Sequence, residues 1–434
     1  MSYFGDELLN AFKKLFSGSR GSFLKNTAAL YILQFSSYFF SFLTVPYLTR
    51  VLDVEIYGML GVASTLMVYF QLFLDFGFLL YATAAISIRR EDKAYISRLF
   101  TAITLAKLVF AVIAFAVLYG MCSLIENYRG DFRLYAFYLL YTCINAFIPD
   151  YVYRGLEQMK VITIRTVCIK FFFTVMIFLF VRQQTDYFLV PILTAIGNAG
   201  ALIGVYIHMR RKLGIWFARV RPAEILSVVK KSSVFFYSRI ADAVYTASNT
   251  LILDFIDPTG ITVGYYTSVD KIVNTAKSGF SPISDSMYPY MVKNRDFKLV
   301  KKTLKLLMPI ILAGCTVVFV FAETFCTVLF GTNYAGAAPV LRAVIPIILL
   351  TLPNYILGFP TLGAMGLAKH ANLSIVFATA VHVVILVVMY FTIGFSMISL
   401  ALLTSFTTFL IFMYRLVVVV KNRRLLQVGP EQAQ

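Results

Sequence analysis

Basic side chains inside long apolar runs are the residues of this sequence best placed to do chemistry, and that chemistry is the non-covalent capture of an anion. Lys107, Lys170, Arg239, Lys271, Lys277, Arg342 and Arg415 all fall within such runs or at their ends. A charge at the centre of a membrane helix costs about 2.5–3.5 kcal/mol on insertion scales, so it persists where a partner or ligand answers it. Lys107, Arg342 and Arg415 lie near run ends, and snorkelling to the headgroups is the expected role for them. Lys170, Arg239, Lys271 and Lys277 sit deeper. At 1.5 Å rise per residue, Arg239 and Lys271 are each about 10 Å from the nearer end of their runs. The acids able to answer them are Asp75, Asp242 and Asp270. Arg239 and Asp242 are three apart and share a helix face, and Asp270, Asn274 and Lys277 also follow one face. The deep basic groups still outnumber these acids, so the surplus is expected to serve an anionic ligand. Asp75 is expected either to pair with a lysine of a neighbouring helix or to titrate in cation coupling.

Other chemistry is poorly supplied. There is no GxxxxGK[ST] phosphate loop, so ATP hydrolysis through that motif is excluded. His208, His370 and His382 are widely separated, and His382 is expected to be a packed polar residue rather than a proton relay. The five cysteines form no CxxC pair and suggest neither a metal site nor a disulfide framework. The expectation is a protein that is not an enzyme and needs no cofactor.

The elements that must position these residues are membrane helices. The chain is 59% hydrophobic and 14% charged, against about 45–50% and about 25% in soluble domains. Apolar blocks lie near 24–46, 57–80, 101–125, 134–149, 161–181, 186–208, 232–256, 304–322, 340–358, 372–393 and 397–420, most of them close to the roughly 20 residues that span a bilayer. Nothing resembles the short alternating strands of a barrel, so the fold class is all-α. The net charge of +18 does not point to nucleic acid, because the lysines and arginines cluster between the blocks, as orientation signals do. The segments 209–231 and 293–305 are both strongly basic and belong on the cytoplasmic side. An even number of crossings therefore separates them, and the polar stretch 264–292, which hydropathy alone rejects, must supply the second. Pro282 and Pro289 are expected to bend or break it.

Twelve helices follow, in two six-helix lobes around a central cavity. Residues 1–20 read as a cytoplasmic amphipathic segment, 21–208 as an N-lobe, 209–231 as a basic linker, 232–421 as a C-lobe and 422–434 as a cytoplasmic tail. A repeat links the halves: Leu52-Asp53 precedes Gly58, and Leu253-Asp254 precedes Gly264. Parallel repeats of this kind occur in transporters that rock two bundles around one site.

An ordered set of short motifs resembles the O-antigen (Wzx-type) flippases, of the polysaccharide transport branch of the MATE-like exporter superfamily. It runs from Leu30-Tyr31-Ile32-Leu33-Gln34 and Val45-Pro46-Tyr47-Leu48-Thr49-Arg50 through Asp75-Phe76-Gly77-Phe78 and Arg154-Gly155-Leu156-Glu157-Gln158. It continues at Val263-Gly264-Tyr265-Tyr266, Asp270-Lys271, Ser281-Pro282-Ile283 and Tyr288-Pro289, and ends near Gly358 to Gly366. The resemblance implies a cationic cavity that moves an undecaprenyl-pyrophosphate-linked sugar unit between leaflets of a bacterial inner membrane; the alternation of basic segments places both termini in the cytoplasm. The resemblance also implies Arg50, Arg154, Arg239, Lys271 and Lys277 as anion contacts, beside Lys170 from the reading of depth. A coupled H+ or Na+ gradient, or downstream consumption, is the expected driving force. Membrane lipids, a polysaccharide polymerase and chain-length machinery are the implied partners. Where the family has Leu-Gly after the arginine of helix one, this chain has Leu52-Asp53, and an Asp53–Arg50 salt bridge is the plain alternative there.

Rival readings remain. A drug antiporter of the same architecture would favour an acidic or aromatic cavity. A flippase for the peptidoglycan precursor would share the cationic one. A membrane glycosyl-polymerase would need larger outer loops than these.

Overall fold

The structure, a computed structural model, describes residues 36, 39–40 and 42–423, with side-chain placement for these except at 127, 234, 237–238, 241–242, 244–246, 286, 289–290 and 292–294. The amphipathic segment 1–20, the start of helix one and the end of the tail lie outside the described residues, as does the Asp242 side chain.

The described chain is nearly all helix. In chain order the helices are α1 (42–51), α2 (Val54–Asp75), α3 (Phe78–Ile88), α4 (Lys93–Leu124), α5 (Phe132–Ala146), α6 (Asp150–Gly155), α7 (Met159–Phe180), α8 (Leu189–His208) and α9 (Pro222–Ile256). They continue as α10 (Ile261–Asn294), α11 (Phe297–Val320), α12 (Ala322–Phe330), α13 (Ala338–Ile356), α14 (Ala368–Phe391) and α15 (Met397–Lys421). Among the described residues, eight helical stretches are long and apolar enough to cross a membrane. Helices α9 and α10 are not among these stretches; within α9, Ala247–Ile256 forms a shorter apolar one. Helix α9 begins ten residues before the expected span, because Pro222 opens it and the Glu224 carboxylate accepts from the Arg221 N–H at 2.9 Å. The last part of the basic segment is thus helix rather than linker.

One expected helix is interrupted, and another ends at a break. The run 57–80 breaks after Asp75, where Phe76 (φ 38°) and Gly77 (φ 77°) take left-handed backbone. A side chain at Gly77 would overlap the Ser232 carbonyl, and the Phe76 ring stacks on Phe236 at 4.4 Å, so the break is locked by packing. The run 340–358 ends at a backbone break at Gly358 (ψ −123°), inside a wide-turn segment Leu357–Gly363. Arg415 fills that break. It donates to the Asn354 carbonyl, one turn before the break, and to the Ala371 carbonyl and Ser374 Oγ (3.0 Å) of α14, tying the broken segment to the next helix. It is 7% exposed, so it does not snorkel. Helix α10, by contrast, runs on through Pro282 and Pro289. The carbonyl of Ser278, which Pro282 cannot serve, accepts from the Ser281 hydroxyl at 3.3 Å.

The chain packs as two compact units. The first holds residues up to 43, 70–180 and 188–237, around a core that includes Phe78, Phe100, Ile103, Tyr153 and Met209. The second holds 44–69, 181–187 and 238 onward, with small cores around Met287, Leu352 and Ile356 and around Leu357, Leu362 and Val419. Residues 44–69 thus pack with the later half of the chain. The reason is a crossing of α2 on the start of α10 built from glycine. A Cβ at Gly58 would overlap the Gly260 carbonyl and come within 2.9 Å of the Gly264 nitrogen, and one at Gly264 would overlap the Val54 carbonyl. The two glycines of the sequence repeat therefore meet each other. The turn before the crossing is held by Asp257, which accepts from the N–H groups of Thr259 (3.1 Å) and Thr262 (3.2 Å). Burial raises its pKa, but the hydrogen bonds from Thr259 and Thr262 outweigh this and hold the carboxyl below its usual value.

Gly58→Ala is expected to lower thermal stability in detergent by about 1–3 kcal/mol, since only backbone movement makes room. Gly120, with no atom within 4 Å of a Cβ, is the control. Gly120→Ala should be neutral or slightly stabilising, and equal melting of the two variants would remove the close crossing.

Candidate functional site

In the second unit, α2, α9, α10, α13 and α15 enclose a cavity of about 400 Å³. Helix α10 supplies its polar side: Tyr266, Asp270, Lys271, Asn274 and Lys277 line it, together with Ser64 and Thr65 of α2, Thr250 of α9 and Thr404 of α15. Val340, Val344 and Ile347 of α13 form an apolar side. At 1.5 Å rise per residue, Asp270 to Lys277 lie about 14–24 Å from the start of α10. The polar residues thus occupy the middle of a long helix and face an internal space.

The charges in this space do not cancel. The Asp270 carboxylate accepts from Asn274 Nδ2 at 2.7 Å. Among the described residues the ion pairs within 4.0 Å are Arg90–Glu157, Lys107–Asp75 and Arg165–Asp150, so no such pair seals Lys271 or Lys277. Lys271 is exposed to the cavity and Lys277 half-buried. Two ammonium groups beside one amide-bonded carboxylate leave the cavity positive, and a restricted dielectric strengthens their pull on an anion.

A hydrogen-bonded wall that sequence reasoning missed stands beside these lysines. Asn249 Nδ2 donates to the Tyr266 hydroxyl at 2.8 Å and to Thr404 Oγ1 at 2.7 Å, tying α9, α10 and α15 together. Tyr69 and Ser248 share a hydroxyl–hydroxyl bond of 3.0 Å. Single Asn, Thr and Tyr residues lower a window average of hydropathy too little to mark a site. Only their recurrence on α15, at Thr404, Thr407 and Thr408, hints at a polar stripe.

The remaining candidates are dispersed. Arg50 is exposed and donates Nη2 to the Val328 carbonyl at 2.6 Å; no ion pair joins it to Asp53 among the described residues. Arg239, half-buried on α9, is not among the residues lining the cavity. Arg154 and Lys170 are half-buried in the first unit. Asp75 also belongs there, where its carboxylate accepts from Lys107 Nζ at 3.3 Å. Lys107 is 4% exposed and also donates to the Ala146 carbonyl, so it too is an internal group rather than a snorkelling one. Arg342 donates Nε to the Phe319 carbonyl at 3.2 Å. His382 is buried, with Nδ1 2.8 Å from Thr407 Oγ1. Among the described residues no group of three His, Cys, Asp or Glu side chains is arranged to hold a metal.

Comparison with known proteins agrees with this architecture. A protein of Escherichia coli strain K12 named "Putative O-antigen transporter" is 27% identical over 348 residues, 77% of this chain and 82% of its own length. A Shigella dysenteriae protein of the same name is 25% identical over 281 residues, 64% of this chain and 69% of its own. In fold, the chain is similar to the lipid II flippase MurJ in an inward closed conformation (TM-score 0.65, 11% identity, covering 92% of this chain and 87% of that one). It is also similar to a MATE transporter of Vibrio cholerae (TM-score 0.54, 12% identity, covering 94% and 98%). The family model described as "Polysaccharide biosynthesis protein" matches residues 23–295, more than half of the sequence. This multi-pass helical membrane protein belongs to the polysaccharide biosynthesis protein family.

Proposed function

We propose that this protein is a flippase that carries undecaprenyl-pyrophosphate-linked oligosaccharide units of the O-antigen type from the cytoplasmic to the outer leaflet. In this reading twelve helices cross a bacterial inner membrane in two lobes, with both ends of the chain cytoplasmic, and alternating access moves the ligand without covalent chemistry. The observation that carries the reading is the pair Lys271 and Lys277, facing an internal cavity without a carboxylate in ion-pair contact among the described residues. The two positions are six residues, about 9 Å, apart along the helix axis, within reach of the two phosphoryl groups of one diphosphate on flexible lysine stems. The hydroxyl and amide wall of Tyr266, Thr404 and Asn274 suits the hydrogen-bonding edge of a sugar. The polyprenyl chain stays in lipid, as its apolarity demands. The positive cavity disfavours a cationic drug as cargo. An H+ or Na+ gradient, or removal of the product by a downstream polymerase, supplies the driving force.

The test is reconstitution of the full-length protein in vesicles that carry a polyprenyl-pyrophosphate oligosaccharide with a fluorescent sugar. Protein-dependent protection of the label from an external quencher is the expected result, and an imposed H+ or Na+ gradient should change its rate if coupled. A labelled peptidoglycan precursor in parallel vesicles separates the two glycan classes. Movement no faster than in protein-free vesicles would overturn the proposal.

A further inference from the structure

The first unit carries a second cavity, of about 710 Å³, at the end of α8. One wall is aliphatic and outward-facing: Ile203 is 61% and Ile207 48% exposed, on a helix whose length and composition suit a membrane. The rim is cationic, with Arg210 and Arg211, and the far side is Trp216, the single tryptophan of the chain.

This rim is built rather than loose. A wide helical turn over Met209–Leu213 ends at Gly214 (φ 68°), which lets the chain double back so that Trp216 faces Arg210. The guanidinium carbon of Arg210 lies 5.1 Å from the indole centroid, a cation–π contact that fixes the charged group in place. The indole is braced edge-on by Tyr206 at 6.2 Å and by Phe217 at 5.1 Å. The returning segment is pinned to α4, where the Ala218 N–H donates to Thr101 Oγ1 at 2.9 Å and the Trp216 N–H to Ser97 Oγ at 3.4 Å. Among the described residues no carboxylate within 4.0 Å pairs with either arginine.

A planar fork of donors suits a phosphate, an indole suits the depth of the headgroups, and the aliphatic wall below suits an acyl chain. Free phosphate would leave that wall wet. A zwitterionic lipid would bring a cation beside two guanidinium groups. We propose that this groove is a binding site for one anionic glycerophospholipid of the leaflet in which the basic segment lies, with its phosphate on Arg210 and Arg211 and an acyl chain along Ile203 and Ile207. The site does not depend on which glycan the protein moves. Its assignment to the cytoplasmic leaflet rests on the orientation proposed above, and that leaflet's anionic lipids would supply the occupant.

The experiment is native mass spectrometry of the full-length protein in mild detergent, titrated with phosphatidylglycerol or phosphatidylethanolamine and, separately, with inorganic phosphate. Wild type should retain phosphatidylglycerol about tenfold or more in preference to phosphatidylethanolamine, the scale of one or two charge-assisted hydrogen bonds. Arg210→Ala with Arg211→Ala should abolish the preference. Ile203→Glu, which places a carboxylate on the acyl wall and leaves the arginines intact, should weaken retention of phosphatidylglycerol, and this variant decides the matter if the double substitution fails to fold. Equal retention of the two lipids by wild type, an undiminished preference in these variants, or displacement of the lipid by millimolar inorganic phosphate would each overturn the proposal.

Discussion

Under the proposed function, alanine at both Lys271 and Lys277 is expected to reduce export of the lipid-linked glycan by about 100-fold or more, with protein abundance and melting temperature close to wild type. Each ammonium is worth about 1.5–3 kcal/mol as a charge-assisted contact to phosphate, which is roughly 10- to 150-fold per residue. Folding should tolerate the change because no carboxylate in ion-pair contact is stranded when either lysine goes, among the described residues. Asp270 keeps its bond from Asn274. Arginine at the same positions preserves charge and should retain part of the activity, whereas glutamine should behave like alanine. The readout is surface glycan against protein abundance on an immunoblot. Normal export by the double alanine variant would detach the cavity from transport.

Asp75→Ala should act in the opposite manner, through stability first. It strands the ammonium of Lys107, 4% exposed and left with the Ala146 carbonyl and the face of Phe78 at 5.9 Å, and breaking such a buried pair costs about 3–5 kcal/mol. Replacing both partners with apolar residues of similar volume, Asp75→Leu with Lys107→Met, removes the stranded charge and should restore most of the loss. Melting in detergent measures both steps. The cycle also separates two roles for Asp75. If it only holds α4 against the break after α2, the stable double variant should transport at near wild-type rates. If it titrates during coupling, the double variant should be stable and inactive. A single alanine variant as stable as wild type would remove the ion pair from the account.

Much of this molecule is visible in its residues, and what is hidden follows a physical pattern. Helical runs announce themselves by length and apolarity, and α10 emerges as a helix from the alternation of basic segments even though Asp270, Lys271 and Lys277 argue against it locally. Interruptions are harder to see. Asp75-Phe76-Gly77 is apolar enough to pass as continuous helix, and only Ser232 and Phe236, far along the chain, show why the backbone turns there. Lys107 and Arg415 mislead for the same reason. Near the end of a run, a long basic side chain can snorkel or turn inward, and position alone does not choose. The partners that decide are 32 residues away for Lys107, and 41, 44 and 61 residues away for Arg415. The neutral wall of Asn249, Tyr266 and Thr404 is hidden more deeply, since it carries no charge and becomes a unit only when three helices meet.

The polarity of α9 and α10 has a consequence for how the protein is made. Helix α10 falls outside the stretches that hydropathy would commit to lipid, only the Ala247–Ile256 end of α9 is plainly apolar, and the short Asp257–Gly260 turn joins the two. In the proposed topology, a translocon offering α10 alone to the bilayer meets a penalty of a few kcal/mol for each of its two central lysines. Entry as a paired hairpin, sheltered until α13 and α15 arrive to close the cavity, avoids most of it. The segment that carries the candidate site is thus the one whose biogenesis depends most on later parts of the chain.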